Sequence, residues 1–173
     1  MRVIGLDPGT SMGYAFTDSG KVEVHQSGVW DLKPRRHEGG GMRYLRVRRN
    51  LEALLVSEQI GDRSAVFYEE VRGHKGTDAA HIYGGIVATI ASVCEELGVP
   101  YQGIPVGTIK KRATGKGNAS KHSMVRAAHH EWMIDGFEGL ISEDEADAMW
   151  VLQCGLDELG YEGSPAPEPD PSE

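Results

Sequence analysis

Two apolar runs in this chain each stop at an acid. Val3-Ile4-Gly5-Leu6 leads into Asp7, which Pro8, Gly9 and Thr10 follow, and Ala65-Val66-Phe67-Tyr68 leads into Glu69, with Glu70 beside it. Short apolar runs bounded by turn residues read as buried strands, so both acids fall at strand ends. Only one of the paired acids can share the face of Phe67, and alternation selects Glu69. Asp144 and Asp147 stand three residues apart in a stretch that reads as helix, and so lie on one face of it. Two strand ends and one helix can meet around a point. Clustered carboxylates raise one another's pKa unless a cation holds them, and hard oxygen donors suit Mg²⁺ or Mn²⁺. The pattern implies an α/β fold and two-metal phosphodiester chemistry.

The 173 residues fit one folded unit, expected over residues 1–160, followed by an acidic, Pro-rich tail at 161–173 with almost no apolar residue, which predicts disorder. No apolar run approaches the roughly 20 residues a membrane helix needs, and nothing near Arg2 resembles a signal peptide. Cys94 and Cys154 lie in apolar helical patterns, so a reducing, cytoplasmic setting is expected. No His/Cys spacing points to zinc.

A net charge of −8 argues, as an average, against nucleic-acid binding. Its distribution reverses that reading. From Gly107 to His130 there are six basic residues (Lys110, Lys111, Arg112, Lys116, Lys121 and Arg126) and no acid. Arg35, Arg36, Arg43, Arg46, Arg48 and Arg49 fall between Pro34 and Asn50 against a single Glu38. A locally basic surface binds phosphates even on an acidic protein, because charge effects reach only about a Debye length.

Hydrophobic periodicity and turn residues predict strands at Arg2 to Leu6, Gly13 to Thr17 and Val22 to Trp30, with a hairpin turn at Asp18-Ser19-Gly20. A helix is expected from Met42 to about Glu58, with Tyr44, Val47, Leu51, Leu54 and Leu55 on one side and Arg46 and Arg49 on the other. A strand follows from Ser64 to Val71, then a helix capped by Asp78 and stopped by Gly98. Ile82, Ile86, Ile90 and Val93 of that helix could serve a subunit interface or pack on the sheet. A short strand at Val99 to Ile104 precedes a helix capped by Asn118 or Ser120 and running to about Met133. A last helix, capped by Ser142, runs from Glu143 to about Leu159. The order βββαβαβαα implies an α/β sandwich on a mixed sheet of five strands.

Each motif also has a plainer explanation. Asp-Pro-Gly after a strand is common turn punctuation. Glu143 and Asp144 suit a helix dipole, which leaves Asp147, inside the helix between Ala146 and Ala148, poorly explained. Gly115-Lys116-Gly117-Asn118-Ala119-Ser120-Lys121 lacks P-loop spacing; it reads either as a solvated basic loop or as a phosphate cradle at a helix N-terminus, with Lys121 reaching a scissile group. The arginines of the first helix read equally well as a solvated face.

Taken together, in order and spacing, these segments resemble the RuvC-type Holliday junction resolvases, which have an RNase H-like fold. The anchors are Ile4-Gly5-Leu6-Asp7-Pro8-Gly9-Thr10 with Gly13-Tyr14, then Glu69-Glu70-Val71, Gly115-x-Gly117-x-x-x-Lys121 with Lys110 before it, and Asp144-x-x-Asp147-Ala148. The resemblance covers Arg2 to about Leu159. It implies a nuclease domain whose metal ligands are Asp7, Glu69, Asp144 and Asp147, with Lys121 as active-site lysine and Lys110 as a second basic position. It also implies two Mg²⁺ ions per site, replaceable by Mn²⁺, and a homodimer that cuts opposing strands of a four-way junction to leave 5′-phosphate and 3′-hydroxyl nicks. The DNA-contacting set expected on this basis is Lys110, Lys111, Arg112, Lys116, Lys121, Arg72, Arg46 and Arg49. One departure stands out. Bacterial members carry Phe after the Glu-x-Val element, whereas this chain has Arg72, similar to a divergent phage-type resolvase with activity on Y and fork DNA as well. The rival readings are a YqgF-type RNase H-like nuclease acting on RNA and a non-catalytic branched-DNA-binding module. An actin-like or sugar-kinase phosphotransferase would need two such domains.

Overall fold

The computed structural model describes residues 1–18, 24, 26–56, 63–73, 76–132 and 141–161. The expected hairpin turn and the tail beyond Tyr161 lie outside them. In chain order the elements are β1 (Arg2–Asp7), β2 (Ser11–Thr17), β3 (Gln26–Asp31), α1 (Met42–Leu55), β4 (Ser64–Glu70), α2 (Thr77–Leu97), β5 (Tyr101–Pro105), α3 (Val106–Thr114), α4 (Lys121–Glu131) and α5 (Glu143–Glu158). The strands form one mixed sheet ordered β3-β2-β1-β4-β5. β1, β2 and β3 pair antiparallel in sequence, and β4 and β5 continue the sheet parallel to β1. The five-stranded mixed sheet is the one the sequence predicts.

Strand alternation separates two cores. Val3, Ala15, Ala65 and Phe67 face α5, packing with Trp150, Val151 and Leu152. Ile4, Leu6, Met12, Phe16 and Val66 face the other way, against Val47 and Leu51 of α1 and Ile86, Ile90 and Val93 of α2. Of the two fates open to Ile86, Ile90 and Val93, packing on the sheet is the one realised. Cys94 and Cys154 are both free and buried, one in each core.

The strand ends place the chemistry. β1 and β4 are parallel with Leu6 opposite Tyr68, so Asp7 and Glu69 end adjacent strands at one edge of the sheet. Their parity with Val3 and Phe67 directs both toward α5. Two glycines let that helix come close. A Cβ on Gly5 would meet the backbone of Ala148 and Leu152, and one on Gly13 would collide with the carbonyl of Asp144. α5 therefore lies directly on β1 and β2, with its first turn beside the sheet edge that carries Asp7.

Several boundaries differ from expectation. α2 begins at Thr77 after Gly76, whose φ of 118° suits glycine, with no side-chain cap; Asp78 lies in the first turn instead. Gly98, at φ 65°, ends the helix as expected. The fifth strand is shifted to Tyr101–Pro105: the Val99 N–H still bonds back to the Cys94 carbonyl of the helix, and the Pro100 carbonyl is the first group to pair with β4, accepting from Val66 N–H. α3 is an additional helix. Its apolar side consists of little more than Ile109 and Ala113, too few positions to show a period. The remaining caps agree, with Ser120 accepting from the Ser123 N–H and Ser142 from the Glu145 N–H.

Candidate active site

Asp7, Glu69, Asp144 and Asp147 come into one another's electric field at this edge. Burial raises the Asp7 carboxyl well above the usual carboxylate range, and the charges of Glu69, Asp147 and Asp144 push it further. A side-chain hydrogen bond between Asp7 and Glu69 raises the first and lowers the second. Glu69 is itself raised by burial, an effect opposed by the Asp7 hydrogen bond and by the charges of Lys110 and Lys121. Asp147 is pushed up to about 6, first by burial and then by Glu69, with Lys121 and Lys110 acting against the shift. These shifts tie the acids to two lysines that reach the site from α3 and α4.

Each group is held by a local device. The Tyr83 hydroxyl of α2 accepts from the Val71 N–H and donates to the Glu69 carbonyl, both at 2.9 Å, fixing the end of β4. Three successive acids open α5 and go separate ways. The Glu143 carboxylate pairs with Lys121 at 3.1 Å, Glu145 accepts from the Ser27 hydroxyl at 2.7 Å, and Asp144 enters the field of the site. Trp150 Nε1 donates to the Met124 carbonyl at 3.1 Å, which couples α4 to α5 and sets where Lys121 begins its helix. The pairing with Glu143 also raises the Lys121 ammonium above its ordinary range.

The other sequence-predicted residues are distributed differently. Lys110 and Lys116 are half-buried and Lys111 exposed on the basic α3–α4 segment. Arg112 bridges to Asp157 at 2.6 Å and joins α3 to α5. Arg72, 82% exposed and 3.7 Å from Glu70, stands just past the end of β4 on the acid-bearing edge. α1 packs on the opposite face of the sheet, so Arg46 and Arg49 are not brought to the acids. Arg46 binds Glu38 and the Lys33 carbonyl, while Arg49 is exposed. The sequence reading missed Tyr83, Ser27 and the two close-approach glycines. A Gly in each of two apolar strands was the only available signal.

A sheet of this order, with acids on β1, β4 and a terminal helix laid across them, defines the RNase H-like class of α/β proteins. No family model matches the chain. It is similar to the crossover junction endodeoxyribonuclease RuvC of Anaeromyxobacter sp. (strain Fw109-5), 26% identical over 159 residues, covering 90% of this chain and 73% of that protein. It is likewise similar to RuvC of Chlamydia trachomatis serovar L2, 27% identical over 157 residues and covering 88% of this chain and 89% of the relative. The solved structure of T. thermophilus RuvC in complex with Holliday junction substrate superposes with a TM-score of 0.72 at 20% identity, covering 94% of this chain and 98% of that one. A second Thermus thermophilus RuvC structure gives 0.69 at 20% identity. Over about nine tenths of its length the chain is thus similar in sequence to RuvC resolvases, and it shares the fold of the Thermus protein.

Divalent-metal dependence goes with this family, and the donor chemistry fits it. Four carboxylates supply only hard oxygen ligands; burial raises Asp7, Glu69 and Asp147, and neighbouring acid charges add to the shift at Asp7 and Asp147. Among the described residues no three His, Cys, Asp or Glu side chains form a closed metal-binding group. No helix among the described residues is long and apolar enough to cross a membrane.

Proposed function

We propose that the protein is a structure-selective endodeoxyribonuclease that cuts Holliday junctions, and other branched DNA such as Y and fork structures, leaving 5′-phosphate and 3′-hydroxyl nicks. The observation that carries this reading is the convergence of Asp7, Glu69, Asp144 and Asp147 with Lys110 and Lys121 at one sheet edge. The four acids would hold two Mg²⁺ ions, or Mn²⁺ in their place. Such ions, when bound, supply Lewis acidity and a hydroxide nucleophile near neutral pH. Around them the chain's own groups have separable tasks. Asp7 and Glu69, neighbours at the ends of β1 and β4, would both ligate as carboxylates. Lys121 leaves Glu143 for the scissile phosphate, where its ammonium offsets charge building on the phosphoryl oxygens. Lys110, Lys111, Lys116 and Arg72 contact backbone phosphates along the same edge. A C2 homodimer would present two such sites to the opposing strands of a junction with approximate two-fold symmetry.

The test is incubation of purified protein with an end-labelled four-way junction. Paired, ligatable nicks in Mg²⁺ and none in EDTA are expected, together with a dimer in sedimentation when junction is bound. Efficient cleavage of structured RNA with the junction left intact would establish the YqgF-type reading. Junction binding without cleavage in any divalent metal would leave a binding module.

A further inference from the structure

The connection from β3 to α1 carries exposed cations that the reaction above does not employ. Leu32 N–H donates to the Thr10 carbonyl at 2.9 Å, and Ser11 pairs with Asp31, so this connection leaves the sheet from the edge at which β1 delivers Asp7. β3 stands two strands from β1, which places the connection about 10 Å along that edge at the usual inter-strand spacing. Lys33, Arg35, Arg36 and His37 are all exposed. The neighbouring acids are turned inward to the backbone. Asp31 Oδ1 accepts from the Lys33 N–H at 3.0 Å, and Glu38 Oε2 accepts from the Arg35 N–H at 2.7 Å. Arg46 completes the arrangement, donating to Glu38 Oε2 at 2.5 Å and to the Lys33 carbonyl at 2.8 Å. The Arg46–Glu38 pair is only 19% and 24% exposed, which makes it a brace within the loop. Arg48 is likewise engaged, by Glu52 and Glu96 at 2.8 Å each. The basic segment thus divides into arginines that shape the loop or the helix packing and cations that the loop presents to solvent.

We infer that Lys33, Arg35 and Arg36 form a clamp on the duplex arm flanking the cut, held in shape by the Arg46–Glu38 brace. The inference rests on the branched-DNA reading and assigns part of the substrate to part of the chain. An offset of about 10 Å, plus the reach of an arginine, corresponds to phosphates about three to five base pairs from the scissile one, at about 3.4 Å of rise per nucleotide on each strand.

The experiment compares the full chain with a Lys33→Gln/Arg35→Gln/Arg36→Gln variant and with Glu38→Gln. Junction affinity is measured by anisotropy across a salt series in Ca²⁺, and cleavage in Mg²⁺. The triple variant should bind about tenfold more weakly, with a log-log salt slope lower by roughly 0.9 for each phosphate no longer neutralised, while kcat at saturating junction stays within twofold. Glu38→Gln removes a negative charge from a DNA-facing surface, yet should weaken binding because the brace is gone. Methylphosphonate linkages three to five base pairs from the cut should abolish the difference between wild type and the triple variant. If the wild type binds and cuts junctions but the triple variant keeps its salt slope, or Glu38→Gln tightens binding, the clamp is overturned and the function stands. If the wild type neither binds nor cuts a junction, both fall.

Discussion

Lys121 Nζ lies 3.1 Å from Glu143 Oε2, so the lysine that faces the acid cluster is already paired before any phosphate arrives. Both partners are more than half exposed, and exposed pairs of this kind are worth at most about 1 kcal/mol. The pair is therefore weak enough for a DNA phosphate to displace. Glu143→Gln should lower KM for junction by up to about fivefold and leave kcat within twofold, whereas Lys121→Ala should lower kcat by about a hundredfold or more with little change in KM. Steady-state kinetics on a labelled junction separates the two. A kcat loss in Glu143→Gln equal to that in Lys121→Ala would mean the pair acts as a unit.

Replacing Asp7, Glu69, Asp144 or Asp147 by the matching amide should reduce cleavage by several orders of magnitude while junction binding persists. Without divalent metal, binding should tighten, because a negative charge facing phosphate has been removed. Glu70→Gln is the control. Strand parity points Glu70 away from α5, and its variant should cleave within a few-fold of wild type. Near-normal cleavage by Asp7→Asn or Asp147→Asn would falsify the site.

Acid clustering also sets a pH signature for stability. Asp147 is raised to about 6 in the folded chain from an ordinary value of 3.8. A raised carboxyl favours folding when protonated, so its stabilising contribution is present below about 4 and is lost as pH rises to about 6. In EDTA, the melting temperature of Asp147→Asn relative to wild type should climb across that window and then level off above about pH 7. An advantage of several degrees is expected, at roughly 2–4 °C per kcal/mol for a chain of this size. Millimolar Mg²⁺ should erase it by stabilising the wild type alone. A constant difference from pH 4 to 8 would show that Asp147 does not carry the charge strain.

The close approach of α5 predicts a graded response to alanine. Gly5→Ala places a methyl group against the backbone of Ala148 and Leu152, mid-helix, and Gly13→Ala places one against the Asp144 carbonyl. Overpacking of this kind costs about 1–3 kcal/mol. Gly5→Ala should chiefly lower the melting temperature. Gly13→Ala should chiefly lower cleavage and raise the Mg²⁺ concentration needed for it, since it moves the first turn of the helix that presents Asp144. Equal loss of activity per degree of melting in the two variants would contradict that division.

Arg72 is 82% exposed just beyond the Glu69 strand. A guanidinium there can stack on a base or hold a phosphate, but it lacks the flat apolar wedge of a phenyl ring. Cleavage should show weak sequence preference and extend to Y and fork substrates, and Arg72→Phe should shift preference toward intact four-way junctions. Strict cutting at one short sequence by the wild type would remove this reading.

The strand ends were legible because an acid closing an apolar run fixes both its edge and, through parity, its face. The strand-end positions of Asp7 and Glu69 were thus placed by sequence alone, and Ser142 by the capping preference of short polar side chains, which left Asn118 and Ser120 as alternatives that the structure resolves to Ser120. What the sequence hid depends on partners distant in the chain. Tyr83 matters only because α2 packs where β4 ends, and Ser27 only because β3 brings it to Glu145. Arg46 differs from its helix neighbours only through Glu38, which folds back onto it from the preceding loop. α3 went unseen because two apolar residues, Ile109 and Ala113, cannot reveal a period.

The division of the interior by the sheet gives each layer its own chemical reporter. Cys94 sits in the core beneath α1 and α2, and Cys154 in the core beneath α5, both buried and both with thiols pushed up to about 12 by desolvation. Neither can react with a thiol reagent until its own layer parts from the strands. The rate at which each is labelled would therefore time the opening of α5 separately from that of the helical pair behind the sheet, using side chains the molecule already contains.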